Sequence, residues 1–497
     1  MKNKATFAAL ALSIGLGAAQ APAQTPAYHA LLLGISDGRT NIEVEKPSRL
    51  NRWGQVVGTY GGGLSGGTHA VLWTPNSAND GYGAGTLYSL ELSHGFPTGT
   101  AGTWPTGFND RGQISGSAYT PGLGDGNQQQ SWMWKPNPLN SLTGTALNSG
   151  TGRAITFPLV SIPGLGTGSE ANQVINNNGS IAAYGIYYHA LLWVPDQKNG
   201  TVSAAGWTYD PTYCSPPSGI NDAGQISGST CESSTENVPY LHSGALPLLA
   251  SDLITSPLWL QPPTSNGIGG SSGLNQHGDV AVTAVDNAGT QIRAYLYKNG
   301  AAIDLSTSEQ SQANAINDYD QVVGHADTDT RRAILFENGS ALDLNTLNDS
   351  TNGLLLKEAI AINNVGQILC TGVYPGAGAS ILLTPNALWL QPVTVTKGVI
   401  QRHGATYSQT VTVTNGGTSV MPGKISIALD ALTPGVTLTN ASGTTAYAAP
   451  IGSAYVDISS ADLAVGATTS SFTLTFSNPA NTLIKYKPRV LATTAPR

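Results

Sequence analysis

The 497-residue chain carries 22 Lys and Arg against 29 Asp and Glu, a formal charge of −7, and only 10 % of its residues are charged. Such a chain lacks the basic footprint that nucleic acid demands and has too few cations to favour an anionic membrane surface. With 40 % hydrophobic residues, 60 Gly and 29 Pro, it suits many short strands joined by tight turns and leaves little room for helix.

The amino terminus reads as an export signal. Lys2 and Lys4 precede an uncharged run from Ala5 to Ala19, and small residues follow at Ala21 and Ala23. A signal peptide over 1–23 is expected, and without Lys2 and Lys4 the net charge falls from −7 to −9. No later stretch reaches the ~20 apolar residues of a membrane-spanning helix, so no membrane insertion is expected. The expected location is extracellular or at the cell surface, with the periplasm as the other possibility.

Beyond the signal, one pattern recurs seven times: an apolar residue, Asn, two variable residues, usually Gly, usually Gln, and another apolar residue. The Asn positions are Asn51, Asn109, Asn176, Asn221, Asn275, Asn317 and Asn363, spaced 42 to 67 residues apart. The second copy, Phe108-Asn109-Asp110-Arg111-Gly112-Gln113-Ile114, shows the chemistry of a turn. Asn can bond the backbone two residues on, and Gly can take a positive φ in a hairpin bulge. Most copies are followed by an apolar strand, as in His69-Ala70-Val71-Leu72-Trp73 and Ala333-Ile334-Leu335-Phe336, and often by a further short one, as in Ala341-Leu342-Asp343-Leu344. Four strands per repeat at this spacing is the size of a propeller blade, and seven would close a ring. The reading for 24–388 is an all-β, seven-bladed β-propeller of four-stranded repeats; an open stack or a β-helix is also compatible. His29-Ala30-Leu31-Leu32-Leu33 is expected to pair into the last repeat and latch the circle.

Three cysteines are present. Cys214 and Cys231 flank the fourth hairpin almost symmetrically, and an exported chain meets an oxidising compartment, so a Cys214–Cys231 disulfide is expected. A two-residue loop would set the pair directly opposite; a three-residue loop closed by Gly224 would miss by one position unless a bulge corrects it. Cys370 would then be a buried thiol.

After Trp389 the Asn motifs stop. Alternating runs at 407–415, 423–429, 454–458 and 471–477, separated by Gly- and Pro-containing turns, read as a β-sandwich over 389–497.

The hairpins and the His-Ala strands at His69 and His189 resemble the HAF-type extracellular repeats of bacteria over roughly residues 28 to 385. Copies three, five and six depart at the Gly or Gln position. The resemblance implies an exported protein with repeat architecture, and no reaction. Thr412-Val413-Thr414-Asn415-Gly416-Gly417 and Phe472-Thr473-Leu474-Thr475-Phe476 resemble the immunoglobulin-like or fibronectin type III-like modules of secreted bacterial proteins.

No catalytic constellation stands out. Gly-x-Ser-x-Gly occurs three times, at Gly34, Gly63 and Gly269, each between expected strands rather than on a strand-to-helix elbow. His29, His69 and His189 occupy related strand positions, where packing is expected rather than a metal site. Asn-Asp pairs such as Asn109-Asp110, Asn221-Asp222 and Asn317-Asp318 bring one carboxylate each and read as turn stabilisers rather than a calcium site. Trp73, Trp134 and Trp193 read as core. Trp53 and Trp104, beside or ahead of turns, are the candidates for stacking on a ligand, with Tyr187-Tyr188 weaker. The residues imply no cofactor. The leading expectation is an exported, non-enzymatic binding or interaction protein that presents loops on a repeat scaffold to a glycan or cell-surface partner. Two alternatives stand beside it: a secreted polysaccharide-cleaving enzyme, which needs converging carboxylates about 5 to 9.5 Å apart, and a structural matrix component.

Overall fold

The computed structural model describes residues 26–36, 44, 46–61, 68–76, 78–81, 85–90, 102–120, 128–136, 154–156, 161–162, 166–167, 171–184, 189–200, 203–231, 237–258, 269–305, 310–327, 330–337, 339–350, 353–389, 391–404, 406–417, 420–446, 448, 450–493, 495 and 497. The expected signal peptide lies outside the described residues. The fold is all-β, and among the described residues helix is confined to single turns such as Leu344–Leu347, where the Asp343 carboxylate accepts from the Asn345 N–H.

Each Asn motif closes a hairpin, and each hairpin begins a unit of antiparallel strands. The leading strands are Lys46–Leu50, Gly102–Phe108, Ala171–Ile175, Pro217–Ile220, Gly269–Leu274, Gln310–Ile316 and Leu355–Ile362. Behind each, the strands add in chain order and antiparallel, as in Gly269–Leu274, Val280–Val285, Ile292–Lys298 and Ala301–Asp304. The units led by Lys46–Leu50 and Gly102–Phe108 share one parallel pairing, Thr68 with Gly102. The unit led by Pro217–Ile220 has three strands and a bridge from Tyr240 to Leu253.

The last unit breaks chain order. Its outer strand is Tyr28–Ser36, which lies antiparallel to Ala377–Pro385 and pairs from Tyr28 with Pro385 to Ser36 with Gly378. The N-terminal strand therefore latches onto the final repeat, as its apolar His-Ala-Leu-Leu-Leu pattern suggests, and covers an edge that would otherwise offer unpaired backbone groups. Successive leading strands touch one another, and Leu355–Ile362 touches Lys46–Leu50, so the leading strands form one continuous inner wall.

Apolar side chains fill the gaps between neighbouring sheets. Val56, Val71 and Trp73 of the first unit meet Leu369 and Leu382 of the last, and Tyr88 and Leu72 meet Ile114 and Trp132 of the second. Trp73, Trp134 and Trp193 are buried, as expected of strand residues facing a neighbouring sheet. The two faces of one strand serve two different interfaces, which is why these strands are apolar on both sides.

Residues 393–491 form two further sheets. One joins Val393–Lys397, Gln401–His403, Thr406–Asn415, Phe472–Ser477 and Thr437–Leu438; the other joins Gly443–Thr444, Ala454–Ser459, Ile425–Asp430 and Lys487–Leu491. Alternation along Thr406–Asn415 buries Tyr407, Val411 and Val413 against Ile427, Leu474 and Phe476. The connection from the ring is pinned: the Ala492 N–H donates to the Ala387 carbonyl at 2.9 Å, and Leu388 bridges to Leu491.

Candidate functional site

The hairpin motif works through a single side chain. In the fourth copy the Asn221 Oδ1 accepts from the N–H groups of Ala223 (3.1 Å) and Gln225 (3.0 Å). Gly224 follows at φ +80°, a conformation that glycine takes without strain. In the sixth copy Asp320 replaces glycine at φ +60°, and its carboxylate is ion-paired with Lys298. Asp is among the few residues that tolerate this region.

The Asn amide nitrogen faces the other way. It donates to the Gln Oε1 of its own turn, as from Asn221 to Gln225 at 2.7 Å, and to the carbonyl of the next motif's Asn. This second bond runs from Asn51 to Asn109, then to Asn176, Asn221, Asn275, Asn317 and Asn363, and from Asn363 back to Asn51, at 2.8 to 3.4 Å. The circuit closes after seven bonds.

The residue after each Asn makes a second circle. The Arg52 N–H donates to Asp110 Oδ1, Asp110 N–H to Asn177 Oδ1, Asn177 N–H to Asp222 Oδ1, Asp222 N–H to Gln276 Oε1, Gln276 N–H to Asp318 Oδ1, and Asp318 N–H to Asn364 Oδ1. Six of the seven positions carry a carbonyl or carboxylate oxygen, and Arg52 alone has no acceptor to offer. The sequence shows this as Arg, Asp, Asn, Asp, Gln, Asp, Asn in the variable position. The Asp residues therefore brace the neighbouring repeat rather than their own turn, which corrects the expectation that they stabilise the turn that carries them.

Together the two circles rim a cavity of about 520 Å³, lined by Arg52, Trp53, Asp110, Asn177, Asp222 and Asp318 among others. One side-chain group spans two of the carboxylates: Asn177 Nδ2 lies 3.3 Å from Asp110 Oδ2 and 3.1 Å from Asp222 Oδ2. The two oxygens can be no farther apart than these bonds laid end to end, about 6.4 Å, so the pair stays inside the ~9.5 Å upper limit over which paired carboxyls cleave glycosidic bonds. Burial pushes the Asp110 pKa above the ordinary carboxylate range and the charge of Asp222 adds to the rise, opposed by the Arg52 N–H and guanidinium and by the Asn177 amide. A second amide, Asn364 Nδ2, holds Asp318 Oδ2 at 2.6 Å.

Trp53, a candidate from sequence, lines this cavity. Its Nε1–H donates to the Asp110 carbonyl at 2.9 Å and the Arg52 guanidinium lies 4.7 Å from its ring centre. Trp104, the other candidate, sits half-buried within Gly102–Phe108 with its ring folded over Gly102 and does not line the cavity. Tyr187 and Tyr188 lie outside the described residues. His29 meets Asp349 at 2.7 Å, and His69 packs on Tyr60 with ring centres 5.1 Å apart. Gly269 to Gly273, read as lying between strands, instead fall within the leading strand Gly269–Leu274, which offers no nucleophile elbow.

Cys214 takes part in a disulfide, Cys370 is a buried free thiol, and the Cys231 side chain lies outside the described residues. The register around this hairpin shifts between Pro217 and Gly219, so that Pro217 faces Gly228, and the Ser229 N–H donates to the Pro216 carbonyl at 3.3 Å. This bulge corrects the one-position miss that a turn closed by Gly224 would otherwise leave.

No family model matches the chain, and no curated protein sequence matches it. Solved structures similar to it include an acylaminoacyl peptidase of Pyrococcus horikoshii, at 10 % identity and TM-score 0.40, covering 76 % of this chain and 59 % of the peptidase, so the chain spans less than two thirds of that protein's length. A glucose dehydrogenase is similar at 13 % identity and TM-score 0.33, covering 71 % of this chain and 99 % of that one. The soluble aldose sugar dehydrogenase of Escherichia coli stands at 12 % identity and TM-score 0.31, covering 72 % and 99 %. At these scores the likeness carries neither substrate nor reaction across. The expectation of a non-enzymatic binding or interaction protein is corrected at the ring mouth, which holds a carboxylate pair that no single repeat reveals in sequence.

Proposed function

We propose that the chain is an exported polysaccharide-cleaving hydrolase, built as a seven-bladed β-propeller of HAF-like repeats with a C-terminal immunoglobulin-like sandwich, whose active site is the ring mouth. The observation that carries this reading is the Asp110–Asp222 pair held by one Asn177 amide inside a cavity rimmed by Trp53. Seven hairpin-led strand units, two of them joined in one sheet, around a closed hydrogen-bond circuit support the blade count among the described residues.

In this reading Asp110, its pKa raised by burial, is the protonated partner. It delivers its proton to the leaving glycosidic oxygen while the Asp222 carboxylate attacks the anomeric carbon and forms a glycosyl ester. Water, losing its proton to the now ionised Asp110, then displaces the sugar from Asp222 and restores both groups. A separation of at most about 6.4 Å excludes the widest spans of inverting enzymes, up to ~9.5 Å, and is compatible with the ~5 to 5.5 Å of retaining ones. Asn177 positions both oxygens, and Trp53 offers an aromatic face for a sugar ring.

The test is release of reducing sugar by the purified chain from cellulose, xylan, mannan, chitin and α-glucan. Asp110→Asn and Asp222→Asn keep the oxygen that accepts the neighbouring backbone N–H, so both variants should fold while losing about 10³-fold or more in kcat. Release unchanged in both variants, or absent from every polymer with the unaltered chain, overturns the proposal.

A further inference from the structure

A second cavity, of about 820 Å³, lies between the ring and the C-terminal sheets and is lined by Tyr319, Val365, Trp389, Asp430, Lys487 and Arg489 among others. Tyr319 and Val365 sit in the turns of the sixth and seventh motifs and line the ring-mouth cavity as well. The two cavities therefore share a wall at Tyr319 and Val365.

The lining of this second space is that of an oligosaccharide site: aromatic and aliphatic surface for the flat faces of sugar rings, with fixed polar groups for their hydroxyls. Trp389 packs on the C-terminal core, yet among the described residues its buried Nε1–H has no hydrogen-bond partner, and a buried donor in that state carries an uncompensated desolvation cost that a ligand oxygen would relieve. The Tyr319 hydroxyl keeps its proton, because burial and the carboxylates of Asp430 and Asp318 push its pKa up. Arg489 is immobilised, bonding Asp430 through Nε at 2.8 Å and Nη2 at 3.0 Å and reaching the carbonyls of Ala448 and Pro450. Lys487 stands exposed at the rim. The wall cannot open about a loose hinge, since the Ala387–Ala492 hydrogen bond and the Leu388–Leu491 bridge tie the connection to the sandwich.

We infer that the space between the ring and the C-terminal sheets is a binding subsite for the continuation of a glycan chain whose scissile bond lies at the ring mouth, so that the sandwich is part of the cleft rather than a spacer. This inference rests on the hydrolase reading for its direction, but binding can be measured without turnover.

Calorimetry with the full chain, using cello-, xylo-, manno-, malto- and chito-oligosaccharides two to six units long, separates the two. In the series that binds, Trp389→Phe should weaken the six-unit ligand about tenfold, the worth of one hydrogen bond and part of a stacking face, and leave the two-unit ligand unchanged. Lys487→Ala, at an exposed position with no packing role, should weaken the same long ligand by a smaller factor and guards against a folding defect in the first variant. Equal weakening of short and long ligands, no change with either, or no binding by any series overturns the inference. Should Asp110→Asn and Asp222→Asn cleave as fast as the unaltered chain while Trp389→Phe still discriminates by length, the catalytic assignment falls and the subsite stands. Loss of cleavage in the Asp variants with no length effect in Trp389→Phe leaves the catalytic assignment standing and removes the subsite.

Discussion

At position 337 the sixth repeat places a carboxyl where other repeats place a hydroxyl. In three of the other repeats the motif Gln reaches a hydroxyl at the end of the third strand: Gln55 meets Thr74, Gln225 meets Ser243 and Gln367 meets Thr384, whereas Gln321 Nε2 meets Glu337 Oε2 at 2.7 Å. Burial pushes the Glu337 pKa from the ordinary 4.5 to about 7, against the pull of the Gln321 amide. Between those values the folded chain holds a proton that the unfolded chain gives up, so stability falls as pH rises through this window, by roughly 3 kcal/mol if the full shift is realised. Glu337→Gln keeps an oxygen for Gln321 and removes the titration. Urea midpoints at pH 5 and pH 8 should therefore differ less for the variant than for the unaltered chain, the variant gaining at pH 8; parallel behaviour would mean that Glu337 ionises freely.

At the scale of the hairpin, the bulge between Pro217 and Gly219 lies in the segment bracketed by Cys214 and Cys231. Their proposed disulfide closes a short loop, and its loss should cost about 3 kcal/mol. Thiol titration in denaturant without reductant is expected to find one group, Cys370, whose burial pushes its pKa up in the folded state; three groups would remove the bond. The hairpins themselves were legible from seven recurrences of Asn with glycine three residues on in most copies, because both residues serve a turn whose chemistry is local. The carboxylate pair was not. Asp110 and Asp222 lie in different repeats and meet only because Asn177 stands between them in the circle, and a residue that braces its neighbour looks, in one dimension, like a residue that closes its own turn. Comparing the variable position across copies would have found it, since six of seven offer an oxygen. For Trp104, nearness to a turn in sequence does not say which cavity a ring lines: the half-buried ring lies over Gly102 and is absent from the ring mouth.

For the whole molecule, the first described strand belongs to the last sheet, so integrity depends on residues more than 300 positions apart. Tyr28 is buried among Leu335, Leu344 and Leu383, and Leu33 among Val56, Trp73 and Leu382. A chain beginning after Ser36 loses these contacts and bares the edge of Ala377–Pro385, so sedimentation velocity should show self-association where the full chain sediments as a smaller species. Sedimentation unchanged by the truncation would show that the edge is protected without the latch. The same junction bears a second mark. In the outer circle of backbone-to-side-chain bonds, Arg52 has no oxygen for the Asn364 N–H, and these two residues face each other where the final repeat meets the first. The rim is thus a horseshoe laid over a complete hoop: the inner amide from Asn363 still crosses to Asn51, while the layer above it ends in a cation. The one interruption of the upper layer thus falls beside Trp53, one repeat away from Asp110, at a junction still tied below by Asn363 and Gln367.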